Sequence, residues 1–173
     1  VMDHLVEAID LVPTFVDWAG GQPRPHILEG RSLLPLLRGE ATDWRRYAFA
    51  EYDYSVRRAR KILNQPVADC RMVMVFDGRW KYIHAEGFRP MLYDLQTDRD
   101  ELTDLGADPA HQDQRDRLAE AMNAWARGHH NRVTMSDAAM AARSDGELRR
   151  GYVIGFWDQA ELDAALAEGR SGN

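Results

Sequence analysis

Asp77-Gly78 falls between two apolar runs, CRMVMVF at 70–76 and RWKYIHA at 79–85, and this short stretch constrains the chain more than any other. An Asp-Gly pair between such segments is among the strongest hairpin signals, because glycine accepts the positive φ that a tight turn matched to strand twist demands. The pattern continues on both sides. YAFAEYDY at 47–54 is aromatic and alternating, and PMLYDL at 90–95 alternates again after a second turn at Glu86–Arg89. Four short runs of period two, joined by turn residues, predict an antiparallel meander. Alternation leaves one face for a core and one for solvent. Trp80, Tyr82 and Ala85 therefore cannot all share a face with Lys81, Ile83 and His84 without a bulge.

A sheet of this size needs a helix to cover it, and the sequence supplies one. Asp108 is placed as an N-cap, Pro109 as the first helical residue, and Leu118, Ala121, Met122 and Trp125 recur at spacings of three and four before Gly128. Upstream, EAIDLVPTFVDWAG carries apolar residues at helical spacing and predicts a helix from about Pro13 to Ala19, stopped by Gly20-Gly21. SLLPLLRG predicts one helical turn closed by Gly39. Downstream, the small and polar TMSDAAMAARSDGELRRG leads to GYVIGFW and to a short helix opened by Asp158 with Glu161 three residues on.

The expected class is α+β. A small four-stranded antiparallel sheet packs against a long helix, with an N-terminal helical segment and a helical C-terminal tail. Residues 1–45 read as a helical lead-in, 46–130 as the sheet-plus-helix unit, and 131–173 as a C-terminal extension too small to own a core. Its Tyr152, Phe156 and Trp157 need a surface, either a neighbouring subunit or the chain's own sheet.

Several function classes are set aside by composition. No run approaches the roughly 20 apolar residues a bilayer requires, and a membrane is not expected as a partner. VMDHLVEAID does not read as a secretory leader, and the absence of Met at position 1 fits a piece of a longer or processed chain. A net charge of -6 with scattered basic residues argues against nucleic acid. The densest basic patch, Arg57, Arg58, Arg60 and Lys61, is either a solvated loop or helix turn or a grip for phosphate or sulfate. One cysteine, Cys70, excludes an internal disulfide and makes the cytoplasm the expected compartment.

Chemistry is sparse. Asp3-His4 lacks a third ligand at a defined spacing, His129-His130 sits where imidazoles cap a helix end, and His26, His84 and His111 share no spacing. Cys70 opens an apolar strand and reads as a core residue. Asp94, Asp98, Asp100, Glu101 and Asp104 lack the glycine and ligand spacing of a calcium loop and read as a solvated turn. No catalytic residue and no metal site is expected from this chain alone.

The order of segments nevertheless resembles a known family. EAIDLVPTFVDWAG, EGRSLLPLLRG, the FAEY strand, FDGRWKYI and LYDLQTDRDELTDLGADP, across residues 6 to 127, are similar to the C-terminal region of the sulfatase family in the alkaline phosphatase superfamily. VDWAGGQPRP and the tail ending in GYVIGFWD are more similar to bacterial phosphonate monoester hydrolases than to arylsulfatases. The resemblance implies a larger parent that hydrolyses phosphonate or phosphate monoesters or sulfate esters. It also implies a formylglycine made from cysteine in a Cys-x-Pro-x-Arg motif and a divalent metal, manganese or calcium, held elsewhere in the parent. Cys70 is followed by Arg71, Met72, Val73 and Met74 and does not fit that motif. Asp3-His4 is followed by Leu5 and does not fit the metal motif.

On this reading the chain walls the substrate cleft beside the large α/β domain and aids a homo-oligomer. Arg57, Arg58, His84 and Arg89 are candidates to touch an anionic substrate. Two alternatives stand beside it: an assembly module that works through GYVIGFW, and an independent binding domain that shares only the meander pattern.

Overall fold

The computed structural model describes residues 2–40, 43–129, 134–142 and 155–170. Two compact units divide the chain, 1–131 and 132–173. The first is built on one sheet whose strands β1 (Ala48–Asp53), β2 (Arg71–Phe76), β3 (Trp80–Ala85) and β4 (Met91–Asp94) lie in chain order, each antiparallel to the next.

The first hairpin forms where its Asp-Gly pair sits. Gly78 takes φ +96° at the first of two central turn positions, as a mirror-image turn requires. Asp77 Oδ1 accepts from the N–H groups of Arg79 and Trp80. The β2–β3 register runs unbroken from Phe76 opposite Lys81 to Met72 opposite Ala85, so no bulge intervenes. Ala85 therefore lies on the opposite face from Trp80 and Tyr82, and it is buried there by the loops rather than by the core helix.

The core side holds Val75, Trp80, Tyr82 and Leu92, covered by Leu118 and Met122 of the long helix α4 (Gln112–Gly128). Trp125 of this helix stacks on Phe49 with ring centroids 4.7 Å apart and planes 9° from parallel. Asp108 caps the entry by accepting from Ala110 N–H, but a tight turn at Pro109–His111 precedes the α-helix proper. Buried Arg115 donates to the carbonyls of Leu105 and Asp108, each of which also accepts a backbone N–H, and so fastens the helix to the turn before it.

The lead-in is held by polar stitches. Helix α1 (Leu11–Trp18) starts two residues earlier than expected because a tight turn at Ala8–Asp10 feeds into it. Pro13 still falls in its first turn, where a missing N–H leaves no bond unmade. Asp10 is fully buried and accepts from the backbone N–H groups of Glu7 and Arg31 and from both terminal nitrogens of Arg45. Thr14 receives the N–H of Leu33 on the hydroxyl that it donates to Asp10 carbonyl, and Ser32 donates to Asp17. Gly30 is required here, since a Cβ would sit 2.1 Å from Ile9 carbonyl oxygen. Glu7 then reaches across to the N–H of Phe49, joining the lead-in to β1. The short helix α2 (Leu34–Leu37) follows, and Gly39 closes it at φ +74°. The segments that carry the family resemblance are thus stitches of the fold.

Of the acids expected to form a solvated turn, Asp100 is exposed, while the other four are stitched into the fold. Asp94 is gripped by Arg79 at 2.7 and 2.9 Å, and Asp98 accepts from the N–H groups of Leu102 and Thr103. Asp104 accepts from those of Leu92 and Gly106, and Glu101 pairs with Lys81 at 2.8 Å.

Helix α3 (Arg58–Leu63) is absent from the pattern of apolar residues, because its side chains are mostly exposed and its capping residue Asn64 takes a left-handed φ of 52°. The second unit contains helix α5 (Asp137–Ala141), capped by Ser136, in a segment that reads as merely small and polar. It also contains helix α6 (Gln159–Arg170), where Asp158 accepts from Glu161 N–H while the Glu161 carboxylate accepts from Trp157 N–H. The described part is α+β, with no helix long and apolar enough to cross a membrane.

Candidate functional site

The sheet face turned away from α4 is only partly covered. Along it the register aligns Ala50, Met74, Ile83 and Met91 in one row and Tyr52, Met72 and Ala85 in the next. The β1–β2 ladder continues one step, with Tyr54 N–H donating to Cys70 carbonyl at 3.0 Å, so Tyr54 falls on the same face as Tyr52. Helix α3 and the Glu86–Arg89 turn rise at one end of this face. Between them lies a hollow of about 430 Å³ lined by Tyr52, Tyr54, Leu63, Met72, Phe88 and Met91, with Arg57 and Arg89 at its rim.

Its parts are held locally. Arg60 Nε donates to Ser55 carbonyl, and the Gln65 amide donates to Glu86 carbonyl at 3.4 Å, joining α3's loop to the turn opposite. Arg57 Nε donates to the Tyr52 hydroxyl at 3.1 Å. Arg89 lies 2.8 Å from Asp104 Oδ2. Burial alone would raise the Asp104 pKa, but the N–H groups of Gly106 and Leu92, with Arg89, outweigh it and hold the carboxyl below its ordinary value. Tyr54 is 6% exposed, and its hydroxyl has no hydrogen-bond partner among the described residues. Burial, with Cys70 and Asp69 nearby, pushes its pKa up, so the phenol is neutral. The hollow offers an apolar interior and a cationic rim. Among the described residues its polar groups include no nucleophile paired with a base.

The structure brings together two of the four residues expected at a substrate site, Arg57 and Arg89. Arg58 is exposed at the start of α3 and does not line the hollow. His84 lies on the α4 side of the sheet, 3.6 Å from Glu86, in a separate recess shared with Trp125 and His129. His129 leaves the helix with its ring edge-on against Trp125 at 4.4 Å, and His130 lies outside the described residues. Of the proposed contact residues, Trp157 is 94% exposed and Phe156 43%, while Tyr152 lies outside the described residues.

Tyr52, Tyr54 and Phe88 were not singled out as site residues. The two tyrosines could have been found from their parity in FAEYDY, which puts both on one face. Phe88 sits in a turn, where period carries no information.

The residues do not fit the metal or the formylglycine that the resemblance implies. Among the described residues no group of three or more His, Cys, Asp or Glu converges on a point. Cys70 is fully buried, with its thiol directed at Pro66 carbonyl. No chemical step is assigned to either group in this chain.

Comparison with known proteins gives the family. Residues 1–127 match the family described as N-sulphoglucosamine sulphohydrolase, C-terminal. The multifunctional alkaline phosphatase superfamily protein PehA of Trinickia caryophylli is 32% identical over 131 residues, 73% of this chain and 25% of that protein. The ulvan-active sulfatase of Formosa agariphila is 29% identical over 152 residues, 71% of this chain and 29% of that one. The crystal structure of a phosphonate monoester hydrolase from Agrobacterium radiobacter superposes with a TM-score of 0.65 at 32% identity, over 73% of this chain and 26% of that one. The chain thus spans about a quarter of the length of the relatives it matches. It belongs to the N-sulphoglucosamine sulphohydrolase C-terminal family, whose neighbours here are sulfatases and phosphonate monoester hydrolases of the alkaline phosphatase superfamily.

Proposed function

We propose that the chain is the C-terminal portion of a metal-dependent hydrolase of phosphonate or phosphate monoesters or of sulfate esters, in which it walls the substrate cleft and aids assembly. The observation that carries this is the family match over residues 1–127 together with relatives of which the chain covers only about a quarter. Nucleophile, divalent metal and formylglycine then belong to the rest of the parent, which the cytoplasm would hold. When bound there, the metal would stabilise charge developing on the oxygens of phosphorus or sulfur.

The exposed surface supports an incomplete unit. Leu11, Phe15 and Trp18 of α1, spaced four and three apart, are 47%, 60% and 77% exposed, while Pro13 on the opposite side and Thr14 at the edge of their stripe are buried. A helix that hides a threonine and shows a tryptophan to water is oriented for a partner surface. In this reading that surface is the large domain.

The test is hydrolysis of a chromogenic phosphonate monoester and an aryl sulfate, with and without manganese, by this chain alone and by the parent. Turnover by the parent and none by the 173 residues is expected. Turnover by the chain alone would overturn the reading.

A further inference from the structure

The hollow between α3 and the uncovered sheet face joins a mostly apolar interior, open to solvent and with Asp104 in its wall, to unpaired positive charge at its mouth. Apart from Asp104 beside Arg89 its floor and sides are mostly apolar, its volume is about 430 Å³, and covering such surface is favourable by about 25 cal/mol per Å². Charge narrows the occupant. Residues 56–68 contain Arg57, Arg58, Arg60 and Lys61 and no acid, in a chain of net charge -6. Arg89 is neutralised by Asp104, but Arg57 is not neutralised: its single bond to Tyr52 fixes the guanidinium at the rim, and its two terminal nitrogens have no partner among the described residues.

A purely apolar occupant leaves Arg57 unused, and a bare anion leaves the floor wet. A compact aromatic body carrying one tetrahedral oxyanion meets both demands, since a guanidinium fork matches two oxygens of such a group. We infer that this hollow is a binding subsite for an aromatic oxyanion, with the ring against Tyr54, Met72 and Met91 and the anion on Arg57. The inference rests on the hydrolase reading above and gives it a recognition site within this chain.

The test is a titration of the chain, labelled at its methionine methyls, with phenylphosphonate, and in parallel with benzyl alcohol and with inorganic phosphate. Met72 and Met91 report the hollow, and Met122, buried under the sheet, reports that the fold is intact. Saturable shifts of Met72 and Met91 are expected, with phenylphosphonate binding about tenfold tighter than either half. Arg57→Gln is expected to weaken phenylphosphonate about tenfold and leave benzyl alcohol unchanged. Ala59→Phe, which fills the hollow from α3, weakens both. No saturable shift while Met122 keeps its folded signal, or equal affinity in Arg57→Gln, overturns the subsite and points to protein as its cover. A chain that fails this titration within a parent that hydrolyses the esters loses the subsite alone. A chain that binds within a parent that hydrolyses none loses the hydrolase reading alone.

Discussion

Arg45 grips Asp10 through two parallel hydrogen bonds, one of 2.6 Å from Nη1 to Oδ2, with the carboxylate fully removed from water. Arg45 also lies 2.9 Å from Glu7, whose carboxylate receives the N–H of Phe49. One guanidinium thus ties α1 to the first strand. Asp10→Asn keeps the shape but leaves the arginine half-paired in a buried site. A loss of about 3–5 kcal/mol is expected, read as the midpoint of chemical unfolding. An unchanged midpoint would show that the lead-in is not coupled to the sheet.

Gly30 and Gly106 leave no room for a methyl group. A Cβ at either would sit 2.1 Å from a carbonyl oxygen, that of Ile9 or of Pro90. Alanine at either site should cost about 1–3 kcal/mol through forced backbone shifts. Gly39→Ala is the control: nothing lies within 4 Å, and only its φ of +74° opposes the change, so about 1 kcal/mol is expected. Equal losses at all three would show that conformation, not crowding, governs these glycines.

Leu118 is fully buried at the centre of the helix–sheet contact. Leu118→Ala should cost about 2–5 kcal/mol. Phe49→Leu removes the stack on Trp125 and should cost less, because Phe49 is only half-buried. Urea titration of both variants ranks them, and the reverse order would move the core toward β1.

Acid should unfold the chain from a definite direction. Asp94 is held below its ordinary pKa first by Arg79, against burial and with help from Gln96 N–H. For Asp10 and Asp77 burial pulls upward, but Arg45 and Arg117 respectively, with backbone N–H groups, outweigh it. Each group therefore has a folded pKa below the unfolded value of 3.8. Their stabilisation is complete above that value and is lost as pH falls below it, when the unfolded chain takes up protons that the folded chain refuses. Unfolding free energy measured from pH 6 down to pH 2 should be flat above the carboxylate range and fall below it, and Asp94→Asn should flatten the fall.

In the proposed assembly, Trp157 is a contact residue. Light scattering of the parent should show a smaller particle in Trp157→Ala. An unchanged mass would remove this residue from the interface.

The sheet was legible because its information is local. Period two, an Asp-Gly turn and a Pro-initiated helix with apolar residues every three or four positions each specify geometry through neighbouring residues, and the structure has all four strands and the long helix in their places. The family was legible for a related reason, since the segments that mark it are the stitches at Asp10, Thr14, Gly30 and Ser32. Tertiary structure alone decided what those segments do. Asp10 and Arg45 are 35 residues apart, and no spacing rule pairs them. The same holds for the hollow, where Arg57 and Arg89 meet because α3 and the second turn rise over one end of the sheet, while His84, one residue from a position on that face, points to the other side. Parity along a strand is written in the sequence; which loops fold back over which end is set by contacts between distant residues.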